Sequence, residues 1–314
     1  MAVWREKSMK TIDFVKKRKI FFIISLSVIA VTLIVSLVFG VELDIQFKGG
    51  AMVQYTYTGS IDTAAVKTVA ENATGFGVNV QTSVDTTGSE TLVLSIPDSM
   101  DSDQQAKLTS AMEDSFSENE IALSQITNIN PTIGSEFFKK CLMALLVASL
   151  LIILYVALRF RKIGGFSAGV IAVIMLFHDL IFIFGVFVLF RIPLNDCFIA
   201  ACLTILGYSV NDTIVIYDRI RENRRLYGSK LSYAELVNKS VNQSVGRALS
   251  TTLTTEIALA SICVISLVFQ INSILTFALP LMVGMAAGVY SSVCVTGPLW
   301  CLWREYRLKK KQQN

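Results

Sequence analysis

Five ionisable residues, His178, Asp179, Asp212, Arg247 and Glu256, lie in stretches of sequence that are otherwise apolar or uncharged. An ionisable group at membrane depth costs a few kcal/mol or more and normally faces a cavity, a partner or another such group. Around Asp212 a helical pattern puts Thr204, Tyr208, Asn211, Val215 and Asp218 on one stripe, with Asp212 at its shoulder. A carboxylate in that position can take up and release a proton, because removal from water favours its neutral form and an approaching cation favours its charged form. The plain alternative is a carboxyl bonded to Ser or Thr that only holds helices together. Arg247 is the natural cation. It shares a helical face with Ser250, Thr251, Thr254, Ala258 and Ser261, a small polar seam expected to pack against the Asp212 helix; snorkelling to the interface is its alternative. His178-Asp179 reads as a structural hydrogen-bond node or as a proton relay, and neighbours on a helix diverge by about 100°, so the two are expected to have different partners. Glu256 falls off the Arg247 seam; it is protonated, faces a partner subunit or touches the last span.

The elements that must carry these residues follow from the charge map. The chain has 314 residues, 53% hydrophobic and 17% charged, with a net charge of +4. Soluble domains are about 25% charged, so lipid replaces water around much of this chain. A disordered chain, a disulfide-rich module and a basic nucleic-acid binder are excluded. Charge-free or nearly charge-free runs define six spans, at roughly 20–40, 140–158, 165–190, 196–217, 248–269 and 274–302. The 47 uncharged residues from Ile257 to Trp303 must hold two of them, with the break at Gln270-Ile271-Asn272-Ser273. Lys and Arg crowd the N-terminal stretch, the loops after spans two and four, and the tail, whereas only Arg191 lies between spans three and four. That alternation predicts cytoplasmic termini. All six cysteines fall in or beside spans and read as packing residues.

Residues 42–140 differ in kind, with fourteen acidic residues against five lysines. They are expected to form a folded extracytoplasmic domain. Its strands are predicted at Ala51–Thr58, Val78–Val84, Thr91–Pro97 and Ile121–Ile129, its helices at Ile61–Ala73 and Ser102–Asn119, and a turn at 85–89. The order β-α-β-β-α-β is that of a ferredoxin-like split unit. The expected organisation is therefore a basic cytoplasmic N-terminus (1–19), a first transmembrane helix (20–40), an α+β domain (41–138), a five-helix bundle (139–303) and a basic tail (304–314). Gly165…Gly169 and Gly284…Gly288 are small-xxx-small spacings for close helix contacts. No nucleophile elbow, Walker loop, HExxH or haem-ligand pattern appears, so nothing points to an enzyme, a cofactor or a bound metal.

Several of these motifs resemble the SecF family of protein-export membrane proteins. Asp44-Ile45-Gln46-Phe47-Lys48-Gly49-Gly50 looks like that family's D-F-x-G-G element with one residue extra, Pro131-Thr132-Ile133-Gly134 like its P-x-x-G, and Phe177-His178-Asp179 like its HD element. The run from Gly207 to Asn223 (GYSVNDTIVIYDRIREN) is similar to the family signature almost position by position, and Arg247 to Thr255 follows its R-x-L-x-T-x-x-T-T pattern. The sequence departs from it at Glu256, where an apolar residue is usual, and at Phe269-Gln270-Ile271, where F-G-G is usual. The resemblance implies half of an RND-type transporter: an α-helical membrane protein of six transmembrane helices, with a small ferredoxin-like domain between the first two. It implies partnership with SecD, which supplies the other half, with the SecYEG translocon and with preproteins, in a membrane-lipid setting and with no nucleic acid. It further implies that Asp212 and Arg247 move protons to promote export. His178, Asp179, Tyr208, Asn211, Thr251, Thr254 and Glu256 are the expected polar support. A half-size RND-type exporter of lipids or small molecules is the alternative, and a passive membrane scaffold is a third class.

Overall fold

A computed structural model of the chain describes residues 12–84, 90–161, 165–228, 230–269 and 271–313. The turn expected at 85–89 and the basic residues of the first eleven positions lie outside these, as does Gln270 of the expected break.

The first long helix, α1 (Arg18–Phe39), ends at Gly40 and leads into a short helix, α2 (Ile45–Lys48), capped by Asp44, whose side chain accepts from the Gln46 amide at 3.0 Å. Then come β1 (Gly50–Tyr57), α3 (Thr63–Thr74), β2 (Asn79–Val84), β3 (Glu90–Ile96), α4 (Ser102–Ser115) and β4 (Ala122–Ile129). The expected β-α-β-β-α-β order is present, in one antiparallel sheet with spatial order β2-β3-β1-β4. Alternation along β1 and β3 turns Val53, Tyr55, Leu92 and Leu94 inward, where Val66 and Ala70 of α3 and Leu108 and Met112 of α4 cover them. Local signals agree with this packing: Asp62 caps α3, and Asp101 with Gln104 forms a capping box on α4.

The chain enters and leaves this domain through one interlocked junction. At Gly49, with φ of +86°, a Cβ atom would sit 2.5 Å from Pro131 Cα; at Gly134 it would sit 2.9 Å from the Phe47 carbonyl oxygen. Phe47 meanwhile packs on Phe137 and Phe138, at ring separations of 5.7 and 5.0 Å. The two glycine motifs recognised in the sequence are thus the two sides of one joint. A second tie comes from Asp44 N–H and Leu194 N–H, which donate to the carbonyls of Leu194 and Glu42, and from a parallel bridge between Leu43 and Leu194.

The remaining helices are α5 (Pro131–Arg159), α6 (Gly165–Leu189), α7 (Asp196–Tyr227), α8 (Tyr233–Val268), α9 (Asn272–Tyr290) and α10 (Gly297–Gln313), with a π-helical turn at Ser291–Thr296 joining the last two. Among the described residues, six helical stretches are long and apolar enough to cross a membrane. Half of the most apolar window is buried in α6, in α7 and in the last stretch (Ile274–Lys310), against 11% for α1 and for α5, so α6, α7 and the last stretch form the centre and α1 and α5 the rim. Leu26, Leu37, Leu150 and Leu154 point outward along that rim, as a lipid-facing surface requires.

Four helices run well beyond the spans expected from charge, among them α10, which reaches Gln313. Asn130 caps α5 with Pro131 at its first position, a capping box of Ser232 and Glu235 starts α8 fifteen residues before the expected span, and α7 continues to Tyr227. Helix formation here follows caps and propensity, while charge marks only where lipid ends. The small-residue spacings sit at close helix contacts as expected: Gly165 and Gly169 lie against α5, Gly284 against Ile183 and Ile205, and Gly288 against Ser209.

Candidate functional site

The polar residues at mid-span converge where α6, α7 and the π turn meet. Asp179 is fully buried, and His178, Ser209, Asp212, Thr213, Ser291, Ser292 and Thr296 are buried around it. Asp179 Oδ2 accepts from Ser209 Oγ at 2.5 Å and from Ser291 Oγ at 2.9 Å, while its Oδ1 lies 3.0 Å from His178 Nδ1. One carboxylate therefore ties α6 to α7 and to the end of α9. His178 and Asp179 do not go to separate partners as expected. The imidazole is turned back along the helix onto the neighbouring carboxylate, with Phe182 4.7 Å from its ring, and its Nε2 is buried without a hydrogen-bond partner.

The π turn is what brings the serines in. Such turns insert one extra residue per turn and recur at functional sites. Here Ser291 meets Asp179, and Ser292 Oγ lies 3.0 Å from Thr213 Oγ1 and 3.3 Å from the Ser209 carbonyl oxygen. Gly288 makes the approach possible, since a Cβ there would stand 3.2 Å from Ser209 Cβ. Ser209, Thr213, Ser291, Ser292 and Thr296 were not singled out in the sequence. The available signal was a Ser-Ser pair and a Thr inside an uncharged apolar run, where each hydroxyl needs a partner.

Asp212 lies one turn along α7 from Ser209 and is 2% exposed, with Oδ2 buried and unbonded. Among the described residues Arg247 forms no ion pair. The expected seam on α8 does not pack against α7. Arg247, Ser250, Thr251, Thr254, Ala258 and Ser261 are exposed, and the packed face is Ala248, Thr252, Leu259 and Cys263. The reason is local. Thr251, Thr254 and Ser261 donate to carbonyls of their own helix, at 3.0, 2.7 and 2.8 Å, so their hydroxyls need no neighbouring helix. The α7–α8 polar contact is instead Tyr208 OH donating to Thr252 Oγ1 at 2.9 Å. Thr204 and Asn211 of the α7 stripe also face outward. Glu256 lies off the seam, as expected; it is half-buried, with Oε1 buried and unbonded. At the arginine-rich end of α7, Asp218 pairs with Arg159 and Arg221 at 3.3 and 2.7 Å, and Arg219 with Glu222 at 2.6 Å.

Six membrane-length helices, one small antiparallel domain inserted after the first, and carboxylates buried where the central helices cross are the parts of half an RND-type transporter. The family model described as "Protein export membrane protein SecD/SecF, C-terminal" matches residues 107–306, and the chain belongs to that family. It is 33% identical over 304 residues to the protein translocase subunit SecF of Sebaldella termitidis, covering 96% of this chain and 95% of that one. It is also 33% identical to the protein translocase subunit SecDF of Bacillus subtilis, covering 95% of this chain and 39% of the relative. A crystal structure of SecDF from Thermus, titled a translocon-associated membrane protein, superposes with a TM-score of 0.78 at 28% identity, over 94% of this chain and 39% of that one. The chain thus spans about two fifths of the length of the SecDF proteins it matches.

Proposed function

We propose that this chain is the SecF half of a SecD–SecF accessory complex of the Sec translocase, and that it uses the proton-motive force to promote preprotein export through SecYEG. Its termini are cytoplasmic and residues 41–138 lie outside the cytoplasm, following the distribution of Lys and Arg. The SecDF relatives, in which one polypeptide carries both names, support SecD as the partner. So does the outward polar face of Thr204, Asn211, Arg247, Ser250, Thr251 and Thr254, which a partner's helices would cover at membrane depth.

The observation that carries the reading is Asp212: a carboxyl at membrane depth, 2% exposed, with a buried oxygen that has no hydrogen-bond partner, while Arg247 on the neighbouring helix forms no ion pair among the described residues. A carboxyl fixed for structure alone would be bonded, as Asp179 is. Asp212 is the group that binds and releases the proton, and Arg247 moves relative to it as the bundle and its partner rearrange. His178, Asp179, Ser209 and Ser291 hold α6, α7 and the π turn in register around it. Each proton crossing 100 mV releases about 2.3 kcal/mol, so a few per cycle can drive motion of the outer domain. In cells depleted of the native subunit, Asp212→Asn is expected to abolish the stimulation of export while the protein still assembles with SecD. Undiminished export would overturn the reading.

A further inference from the structure

Where α6 begins beside α10, a cleft of about 310 Å³ is lined by Arg161, Arg304 and Arg307 together with Gly165, Phe166 and Trp303. No acidic residue lines it. Among the described residues none of these three arginines forms an ion pair, although Arg18, Arg159, Arg219 and Arg221 at the same end of the bundle all do. Three unneutralised guanidinium groups sharing one cleft repel one another unless an anion sits between them.

The cleft is built as well as charged. The Arg304 guanidinium is held over the Tyr233 and Trp300 rings, 5.4 and 5.7 Å from their centroids, and donates to Tyr233 OH at 3.3 Å. Its Nε is buried with no acceptor. Arg307 lies 5.9 Å from the Trp303 ring centroid. Gly165 and Phe166 open α6, so the positive end of a 25-residue helix faces the same space. The rim is apolar: Phe166 is 72% exposed and Trp303 42% exposed, at the level where the membrane-length helices begin and end. Trp is enriched at that level, its amphipathic ring at the boundary between membrane and water.

We propose that this cleft binds the phosphodiester of an anionic phospholipid, with Arg161, Arg304 and Arg307 as its ligands and Phe166 and Trp303 against the acyl chains. A soluble phosphate would use the arginines but gain nothing from the apolar rim. The site anchors the start of α6, the helix that carries His178 and Asp179, to the lipid on the arginine-rich side of the bundle.

Native mass spectrometry of the full chain titrated with phosphatidylglycerol or phosphatidylcholine tests this. The chain is expected to retain phosphatidylglycerol in preference to phosphatidylcholine. Each basic residue near an anionic lipid surface contributes about five-fold in affinity. Arg161→Gln with Arg307→Gln, both exposed, should therefore weaken retention about 25-fold, and adding Arg304→Gln roughly 100-fold. Unchanged helical circular dichroism and an unchanged unfolding midpoint in the double variant separate loss of the lipid from loss of the fold. Equal retention of the two lipids, or full retention of phosphatidylglycerol by the double variant, would overturn the proposal. Loss of phosphatidylglycerol on addition of inorganic phosphate at a concentration equal to that of the lipid would overturn it in favour of a soluble ligand.

Discussion

Replacing Asp179 with alanine removes an acceptor that three groups share: Ser209 Oγ at 2.5 Å, Ser291 Oγ at 2.9 Å and His178 Nδ1 at 3.0 Å. Interhelical hydrogen bonds in membrane proteins contribute about 0.6 kcal/mol each and about 1.7 at most. The contacts to Ser209 and Ser291 are the two that leave α6, and they place the cost of Asp179→Ala near 1 kcal/mol, with about 3 as the ceiling. Asparagine keeps the volume and one oxygen. With that oxygen toward Ser209 and Ser291 and the amide donating to His178 Nδ1, every contact survives when the ring nitrogen accepts. Asp179→Asn is therefore expected to cost less than about 0.5 kcal/mol. The assay is reversible unfolding of the purified chain in mixed bicelles titrated with SDS, followed through the emission of tryptophans that include the buried Trp300. Equal losses for the two variants would refute the reasoning, because the oxygen-to-serine contacts would then not be what ties the three helices.

Further expectations concern the domain junction and the π turn. Gly49→Ala places a methyl against the Pro131 backbone at a left-handed φ, and strain plus overpacking should cost about 2 to 5 kcal/mol, seen as earlier thermal unfolding. Burial raises the Asp44 carboxyl above its ordinary range, outweighing the Gln46 amide that favours its charged form. The folded state thus binds that proton more tightly than the unfolded state, and this contribution to stability falls as pH rises above the ordinary carboxylate value. Asp44→Asn keeps the cap and should flatten the pH dependence of unfolding while slightly stabilising the protein at neutral pH; an unchanged profile would contradict the assignment. Thr213→Val and Ser292→Ala remove the same 3.0 Å contact, so the double variant should cost less than the sum of the singles; additivity to within about 0.5 kcal/mol would contradict a direct bond.

The spans and the domain order were legible because both rest on long-range patterns: uncharged runs that only lipid tolerates, and period-two alternation between capped helices. Helix lengths were less legible. The Ser232–Glu235 box and the Asn130-Pro131 start were present in the sequence, but charge reports the lipid boundary and not the end of a helix. The α8 seam misled for a different reason. A stripe of Ser and Thr looks like a contact surface, yet each hydroxyl can bond to its own helix and leave the stripe facing out. The π turn has no period that a single sequence displays, so Ser291 and Ser292 became visible as site residues only once Asp179 and Thr213 stood beside them. Asp212 and Asp179 were both singled out by depth alone. The structure separates them into an unbonded carboxyl and a fully bonded one.

Proton passage through Asp212 is the step on which the proposed function turns. Its most direct test is proton flux in liposomes holding the chain with its SecD counterpart, driven by an imposed membrane potential and read with a lumenal pH-sensitive dye. The wild-type complex is predicted to carry protons and Asp212→Asn to carry none, with no change when sodium replaces potassium outside. Equal flux in the two, or flux that requires sodium, would contradict the account.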